Sequence, residues 1–436
     1  MVRQILSCLL CVLAVTVAER EAEACGGLFC DQSTVVIPPA QSSERIVFVV
    51  NAAGWTAAPE GMAAQAELQG GDPDPEPLTG QSVDAYIEIA YSGAAASFAW
   101  IVPLLAPPVL IGTAQTEIFN DLDQATAPRF TFTYATGSST VSSGGGMGCG
   151  GSAAMAGDAY EPEGKVADPE VTVIGTGRVG PYEVAVLDAA SAADLRSWLV
   201  SHDYQIPDGT DPILDRYVEE GKTFAAFRLA DGEGVGAIEP VVIRTPGAEP
   251  CIPLRLTPVA SEPVLSVTAI IMASGLVRPG NFNDAGLDES AVRPTSPFTT
   301  DYQTRLRQNV QALGGLAVET EFAGPADYVE ATSTTSFAIL DRIGFVTRLS
   351  TRMAPEEMTT DPIFLETPEQ TTISRDYTID VTNDDAALTA LGVQPAATGA
   401  DTADDDDGCT AAGRNRSPLP LLWLVPVALL LRRRSR

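Results

Sequence analysis

Short segments in which apolar and polar residues alternate are the feature that most restricts the fold of this 436-residue chain. In VDAYIEIAY, every second side chain from Val83 onward is apolar, and Asp84 and Glu88 lie on the opposite face. A period of two is typical of a strand with one buried face. Further segments of strand length occupy positions 44–50, 97–104, 129–134, 171–177, 181–189, 223–230, 237–245, 251–259, 264–273, 315–322 and 343–353.

Four other segments have the spacing and end signals of helices. They lie at 112–126, 191–204, 211–222 and 302–313. In the second, Ser191 is a cap-like residue with Asp194 three residues later. Strands outnumber helices and the helices are not interleaved one per strand. We therefore predict an α+β fold with mostly antiparallel sheets, a few helices and two packed lobes.

Composition suggests where the chain divides. Residues 25–134 form a predicted N-terminal β-rich lobe, and residues 171–392 form a predicted α+β lobe. The intervening 135–170 is rich in glycine, serine and alanine, which predicts a long flexible loop. Residues 393–408, which include ADTADDDDG, predict an acidic, solvated stalk.

The net charge of −31 restricts the partners of this protein. So acidic a chain repels nucleic acid and anionic lipid headgroups, so neither is an expected partner. The charge attracts basic partners or divalent cations, and it also serves solubility. The residues before Gly286 and Gly408 do not have the acid spacing of a calcium-binding EF-hand loop. We therefore assign no metal residue and no cofactor.

The first 24 residues read as an export signal. Arg3 precedes an apolar run over 5–17, which is too short to span a bilayer but long enough for a signal core. The small residues around Glu23 predict cleavage by signal peptidase after Ala24. A lipoprotein signal is the alternative, because Cys25 stands at the position after the cut.

Four cysteines remain in the mature body: Cys25, Cys30, Cys149 and Cys251. An even number in an exported chain predicts disulfides, and four cysteines allow three pairings. We favour Cys25–Cys30 as a local link and Cys149–Cys251 as a long-range one. A zinc site is the competing interpretation, but the chain has no Cys-x-x-Cys pair here and its one histidine is distant.

Two glycine-rich motifs resemble nucleotide-binding loops. GTGRVG, with Gly175, Gly177 and Gly180, follows a predicted strand as in a dinucleotide fold, but Pro181 and a second alternating segment come next. A hairpin turn explains this order better. GGGMGCGG at 144–151 lacks the Gly-Lys-Ser/Thr ending of a phosphate loop.

No catalytic residue can be assigned from the sequence. A G-x-S-x-G elbow is missing, and a Ser-His-Asp triad would need the single histidine, His202, which falls at a helix end where it can meet free carbonyls. A pair of carboxylates remains open, since sequence alone does not pair the acids.

GFVTRLSTRM is the most distinctive internal segment. Arg348 and Arg352 share one face of this predicted strand. In so acidic a chain we expect both arginines to pair with internal carboxylates, with ligand binding as the alternative.

The body resembles an uncharacterised family of exported bacterial proteins, known as a domain of unknown function and common in myxobacteria and actinobacteria. The resemblance rests on CGGLFC, FAWIVPL, APRF, VGPYEVAVLDA, YVEEGKTFAAFRL, IPLRLTP and VTRLSTRMAPEEMTTDPIF, spread over about 25–365. It implies export and supplies no activity.

The tail, 409–436, resembles the myxobacterial C-terminal sorting signal: Cys409 after a polar stalk, an apolar segment over 418–431 and a closing arginine cluster. The resemblance implies a sorting protease that cuts near Cys409 and a lipid on that cysteine. The apolar segment would span only about 21 Å as a helix, short of the ~30 Å membrane core. The arginines would stay in the cytoplasm.

Three functions remain after these observations. The first is a surface-anchored binding or structural protein without catalysis, tethered at the outer surface of the cell envelope through the C-terminal segment or a lipid. The second is an exported glycan-active hydrolase that uses paired carboxylates, and the third is an accessory factor of a surface complex. The ligand is not predicted.

Overall fold

The computed structural model describes residues 28–30, 40–70, 78–92, 98–135, 137–142, 171–202, 204, 209–230, 233 and 238–393. In this part of the chain, nine strands form the large sheet. Its order is β15 (Asn283–Asp284), β18 (Ala317–Pro325), β19 (Phe345–Met353), β13 (Ser261–Ala273), β2 (Ala40–Asn51), β4 (Ser82–Ser92), β12 (Val241–Pro246), β6 (Leu110–Ala114) and β3 (Met62–Gln65). The central pair β13–β2 is parallel, and most of the other pairs are antiparallel.

A second sheet of five described strands packs against the large one. Its order is β1 (Leu28–Cys30), β5 (Phe98–Leu104), β11 (Thr223–Leu229), β10 (Tyr182–Ala189) and β9 (Val171–Val179). Both sheets combine strands from the predicted N-terminal lobe with strands from the predicted second lobe. The fold is α+β with largely antiparallel sheets, as the sequence predicted.

Smaller elements complete the described chain. Strands β7 (Arg129–Tyr134), β8 (Gly137–Ser142) and β21 (Asp376–Asp380) form a third sheet, and two short ribbons pair β14 (Val277–Pro279) with β20 (Phe364–Glu366) and β16 (Pro294–Ser296) with β17 (Thr299–Thr300). The helices are α1 (Glu117–Thr126), α2 (Ala192–Ser201), α3 (Asp211–Glu219), α4 (Tyr302–Ala312), α5 (Thr334–Leu340) and α6 (Asp385–Ala390).

The two sheets and their helices form four layers, because both faces of each sheet are covered. Along β2, Ile46 and Phe48 point into the core between the sheets, whereas Val47 and Val49 point into a second core under α1 and α5. On the far side of the smaller sheet, a third core contains residues of α2 and α3. A strand buried on both faces reads as a continuous apolar run, which explains IVFVV.

The predicted helices are confirmed, with Ser191 as the N-cap of α2 accepting the Asp194 amide. Two helices, α5 and α6, were missed. The strand predicted at 251–259 was wrong: residues 254–260 form a 3₁₀ helix that contains Pro258. The alternation there is real, since Leu254 and Leu256 are buried, but proline cannot donate to a strand ladder.

GTGRVG forms a hairpin between β9 and β10, as predicted, with Gly180 in the turn at a positive φ of 52°. The other two glycines serve a close crossing of chains. The Gln69 amide donates to the Thr176 carbonyl at 2.6 Å, and a Cβ on Gly177 would lie 2.7 Å from the Glu67 carbonyl oxygen. These glycines let residues 67–69 lie against β9, where a dinucleotide fold would bind a pyrophosphate.

The crossing predicts the effect of Gly177→Ala. The added methyl group overlaps backbone rather than a flexible side chain, so the free energy of unfolding should fall by about 1–3 kcal/mol, measured by urea denaturation. Gly80→Ala is the matched control, because a Cβ there meets nothing within 4 Å. Equal stability of the two variants would contradict the crossing.

A buried carboxyl in β2 predicts a pH dependence. Glu44 is 6% exposed and accepts a hydrogen bond from the Gln41 amide, and burial raises its pKa to about 7. The folded state holds this proton more tightly than the unfolded chain, so Glu44 makes the free energy of unfolding fall as pH rises from about 4.5 to 7.

Glu44→Gln removes this titration. We expect the variant to gain stability over the parent between pH 5 and pH 8, by on the order of 3 kcal/mol, measured by denaturation at both pH values. A stability difference between variant and parent that does not change with pH would refute the assignment.

Candidate functional site

A pocket of about 60 Å³ lies between the two sheets. Its apolar lining comes from strands β2, β4, β12 and β5: Ile46, Phe48, Val83, Ala85, Ile87, Ile243, Val102 and Leu104. The exposed residues Leu105 and Glu249 also line it and mark its open end. An apolar cavity with a few polar groups is typical of a binding site.

The polar wall of the pocket centres on Asp361. Its Oδ1 accepts the Tyr217 hydroxyl at 3.0 Å and the Arg255 amide at 2.9 Å, and its Oδ2 accepts Arg255 Nε at 3.0 Å. The Arg255 guanidinium lies 4.1 Å from the centre of the Tyr217 ring and donates two further bonds of 2.7 Å to Glu220. Both carboxylates are therefore fixed by donors.

The same contacts shift the pKa values of these groups. Burial and the Asp361 carboxylate raise the pKa of Tyr217 above its usual range, so its hydroxyl remains a donor. The hydrogen bonds from Arg255 lower the pKa of Glu220. Arg255 and Glu220 therefore stay an ion pair at neutral pH, which suits a rigid wall better than a group that exchanges protons.

Cys251 lines the pocket beside this cluster. It has no disulfide partner among the described residues, is half-buried, and forms an isolated backbone bridge with Ile363. Burial and the nearby Asp361 raise the pKa of the thiol to about 12. The predicted partner, Cys149, and also Cys25 lie outside the described residues, so the pairings Cys149–Cys251 and Cys25–Cys30 stay predictions.

The size of the pocket limits what it can hold. A dry apolar cavity of about 150 Å³ accommodates benzene, and this pocket is less than half as large. It can therefore take the end of one short aliphatic group. Lys222, one of only two lysines in the sequence, also lines it.

The predicted pairing of the β19 arginines with carboxylates is confirmed for Arg348, and no described carboxylate pairs with Arg352. Arg348 is buried and donates to Glu321 and, at 2.7 Å, to Asp123 of α1. Glu321 also accepts the hydroxyls of Ser350 and Tyr302, at 2.7 and 2.6 Å. Arg352 forms no ion pair within the described part of the chain.

His202 has the capping role that its position predicted. It is the C-cap of α2, its Nδ1 lies 2.7 Å from the Trp198 carbonyl oxygen, and its ring stacks on Trp198 at 3.8 Å between centroids. A histidine held in this way is not placed for triad chemistry.

The remaining predicted sites cannot be located. Cleavage at Ala24, lipidation at Cys409, the loop 144–151 and the apolar segment 418–431 all lie outside the described residues. Within the described ranges, no helix is long and apolar enough to cross a membrane. The same ranges contain no group of three or more histidine, cysteine or acidic residues that could hold a metal ion.

Sequence reasoning missed the pocket. Its lining joins β2 near Ile46 to Asp361, and no local motif marks residues that meet only in the folded sheet pair. The one available signal was TTDPIF, in which Asp361 precedes Pro362 and the buried Phe364.

Comparison with known proteins gives one family. Residues 79–365 match a family model described as an uncharacterized protein conserved in bacteria (DUF2330). No curated protein and no solved structure matches the chain.

The raised pKa of Cys251 predicts slow alkylation. At pH 8 its thiolate fraction is about a thousandfold below that of an ordinary cysteine, so iodoacetamide should modify the folded protein slower by about that factor. Peptide mass spectrometry before and after unfolding in urea measures both rates. Rapid labelling of the folded protein would contradict the buried thiol, and a Cys149–Cys251 peptide found without reduction would establish the predicted disulfide.

Proposed function

The chain belongs to the bacterial family DUF2330, and we propose that it is an exported protein, tethered at the cell surface, that binds a partner and does not catalyse a reaction. The pocket between the sheets carries the binding part of this proposal. The sequence of both termini carries the part that concerns location.

The chemistry of the pocket wall favours binding over catalysis. The carboxylates nearest the thiol, Asp361 and Glu220, are held by Arg255 and Tyr217. A general base needs a lone pair free to take a proton, and a nucleophilic cysteine needs a low pKa, whereas burial raises the pKa of Cys251. These side chains can orient an occupant, and neither the two carboxylates nor the thiol is poised to react with it.

We infer that the occupant is one aliphatic side chain of a partner protein. A volume of about 60 Å³ is too small for a ring but suits the methyl groups of a valine, leucine or isoleucine. Leu105, 44% exposed at the open end, extends the apolar surface outward. An anchor residue seated in a pocket with a polar rim is a frequent source of binding energy between proteins.

Export and tethering rest on the sequence alone. Residues 1–24 have the pattern of an export signal, the acidic segment 393–408 would hold the body away from the membrane, and Cys409 would carry the lipid after the apolar segment 418–431 is removed. Intact mass spectrometry of protein taken from the cell envelope tests this. We expect a chain that starts at Cys25 and ends near Cys409; an intact 436-residue chain with a free Cys409 thiol would contradict it.

A photo-crosslinking amino acid placed at position 105 tests the binding role. On intact cells we expect a covalent adduct with one partner protein when the crosslinker replaces Leu105. Ala85→Leu, which fills the pocket from β4, should abolish the adduct. Val200 of α2 is the matched control site, because it is 46% exposed but lies on the far side of the smaller sheet.

Two outcomes would overturn the proposal. One is an adduct that persists when Ala85→Leu fills the pocket, and the other is equal labelling from positions 105 and 200. Xenon binding in pressurised crystals tests whether the pocket exists, independently of any partner protein. Xenon should occupy the wild-type pocket, as it does other dry apolar cavities, and should be missing from the Ala85→Leu variant.

A further inference from the structure

Ion pairing is the rule for arginine in this protein. The structure describes sixteen arginines, and thirteen of them form a salt bridge with an aspartate or glutamate. The three exceptions are Arg216, Arg352 and Arg375. Arg216 is exposed on α3, where water solvates its charge, and Arg375 donates to the Gln124 carbonyl at 2.6 Å beside Asp376.

Arg352 differs from the other two exceptions. It is half-buried near the end of β19, and its Nε is enclosed and has no hydrogen-bond partner among the residues that the structure describes. Its one bond is from Nη1 to the Gln303 carbonyl at 3.1 Å. An enclosed guanidinium N–H without an acceptor is costly, and most buried polar groups in proteins are satisfied.

The nearest charges do not compensate Arg352. Arg307 of α4 lies close enough that, together with burial, it lowers the pKa of Arg352. The acids near this end of the strand already have partners: Glu357 pairs with Arg307 at 2.8 Å and accepts the Ala354 amide at 2.7 Å, and Glu321, which accepts the Ser350 hydroxyl, pairs with Arg348. The region around Arg352 therefore carries an uncompensated positive charge in a chain of net charge −31.

Short hydroxyl side chains surround Arg352 on the same face of the large sheet. Ser266 of β13 lies directly opposite Arg352, and Ser43 of β2 lies directly opposite Ser266. In the next row, Thr268 is opposite Ser350, with their hydroxyls 3.3 Å apart, and Arg45 is opposite Thr268. We call this surface the hydroxyl trough: Ser43, Ser266, Thr268 and Ser350, with Arg45 and Arg352 at its two ends.

The trough faces solvent at the Ser266 row. Ile270 and Val47 form the next row after Thr268 in the direction of α1. Both are buried in the core under that helix. In the other direction burial decreases: Ser43, Ser266 and Arg352 are half-buried, and Ala90, in the same row on β4, is exposed. A ligand can therefore approach Arg352 from solvent, over side chains too short to block it.

We propose that the hydroxyl trough binds a small oxyanion, the carboxylate, phosphate or sulfate group of a ligand, with Arg352 as the principal donor and the hydroxyl of Ser266 as a second. A guanidinium presents parallel N–H donors that match an oxyanion, and such charge-assisted bonds are strong. Arg45 contributes little charge, because Glu88 already neutralises it. The site lies on the opposite face of the large sheet from the pocket and does not depend on it.

Arg352→Met tests the proposal through stability. In chloride buffer we expect the variant to have a higher Tm than the parent, because methionine removes a half-buried charge that no described carboxylate neutralises. Sodium phosphate, sulfate and acetate are then titrated separately at constant ionic strength. If an anion binds at a site, the Tm of the parent should rise with the logarithm of the anion concentration, and we expect this for at least one of the three salts. The anion that has this effect identifies which oxyanion group the trough binds.

The apparent affinity should fall about tenfold or more in Arg352→Met, the loss expected for one charge-assisted bond. Ser266→Ala should weaken it less, and Arg352→Lys should retain part of it. Arg216→Met is the control, since it removes an exposed arginine without an ion pair and should leave the anion effect unchanged.

Three results would overturn the proposal. The first is a Tm that rises only linearly with anion concentration, as general salt effects do. The second is an equal response of the parent and Arg352→Met, and the third is an equal loss in Arg216→Met. None of these results bears on the crosslinking test of the pocket, so the two proposals fail independently.

Discussion

The structure depends on one constraint: the central part of each of its two main sheets is buried on both faces. Along β2, alternate residues from Ile46 to Val49 enter two different cores, so neither the odd-numbered nor the even-numbered residues can be polar in this region. The second core continues across the sheet through Tyr86 of β4, Val242 of β12 and Ile270 of β13. The four-layer arrangement follows, because a sheet that is apolar on both faces must be covered twice.

Charge is then confined to the ends of the helical layer over the large sheet. At one end, the Arg244 guanidinium bonds both oxygens of Asp84, a residue with no exposed surface. At the other end, Arg348 joins Glu321 to Asp123 of α1. Removing one partner of such a pair leaves a buried charge uncompensated, which destabilises by several kcal/mol. The bond between Arg348 and Asp123 therefore helps to fix α1 over the large sheet, together with the apolar contacts of that helix.

The sequence predicted the parts of this fold that follow from local patterns. Strands followed from alternation and apolar runs, the hairpin from GTGRVG, and the α2 start from Ser191, because each depends on neighbouring residues. Helix α5 escaped because TTSFAIL contains threonines and an isoleucine that favour strands, and tertiary packing of Ile339 and Leu340 overrides this propensity.

The two proposed binding surfaces could be predicted only in part, because each is formed by residues that are distant in sequence. Arg348 and Arg352 each follow a threonine and lie on the same face of β19. Among the described residues, only Arg348 pairs with carboxylates. The difference lies in Glu321 and Asp123, which approach from another strand and from α1. Pairing across elements is not visible in one chain without its fold, and the pocket was missed on the same ground.

The parallel pair at the centre of the large sheet also sets the order in which the protein can fold. Strand β2 hydrogen-bonds to β13, with Val49 opposite Met272, so the middle of the sheet stays open until more than 200 further residues have been made. Contacts of such long sequence separation slow folding and leave apolar strand edges exposed meanwhile. A chain built this way therefore presents unpaired apolar strands during synthesis for longer than one whose neighbouring strands are close in sequence.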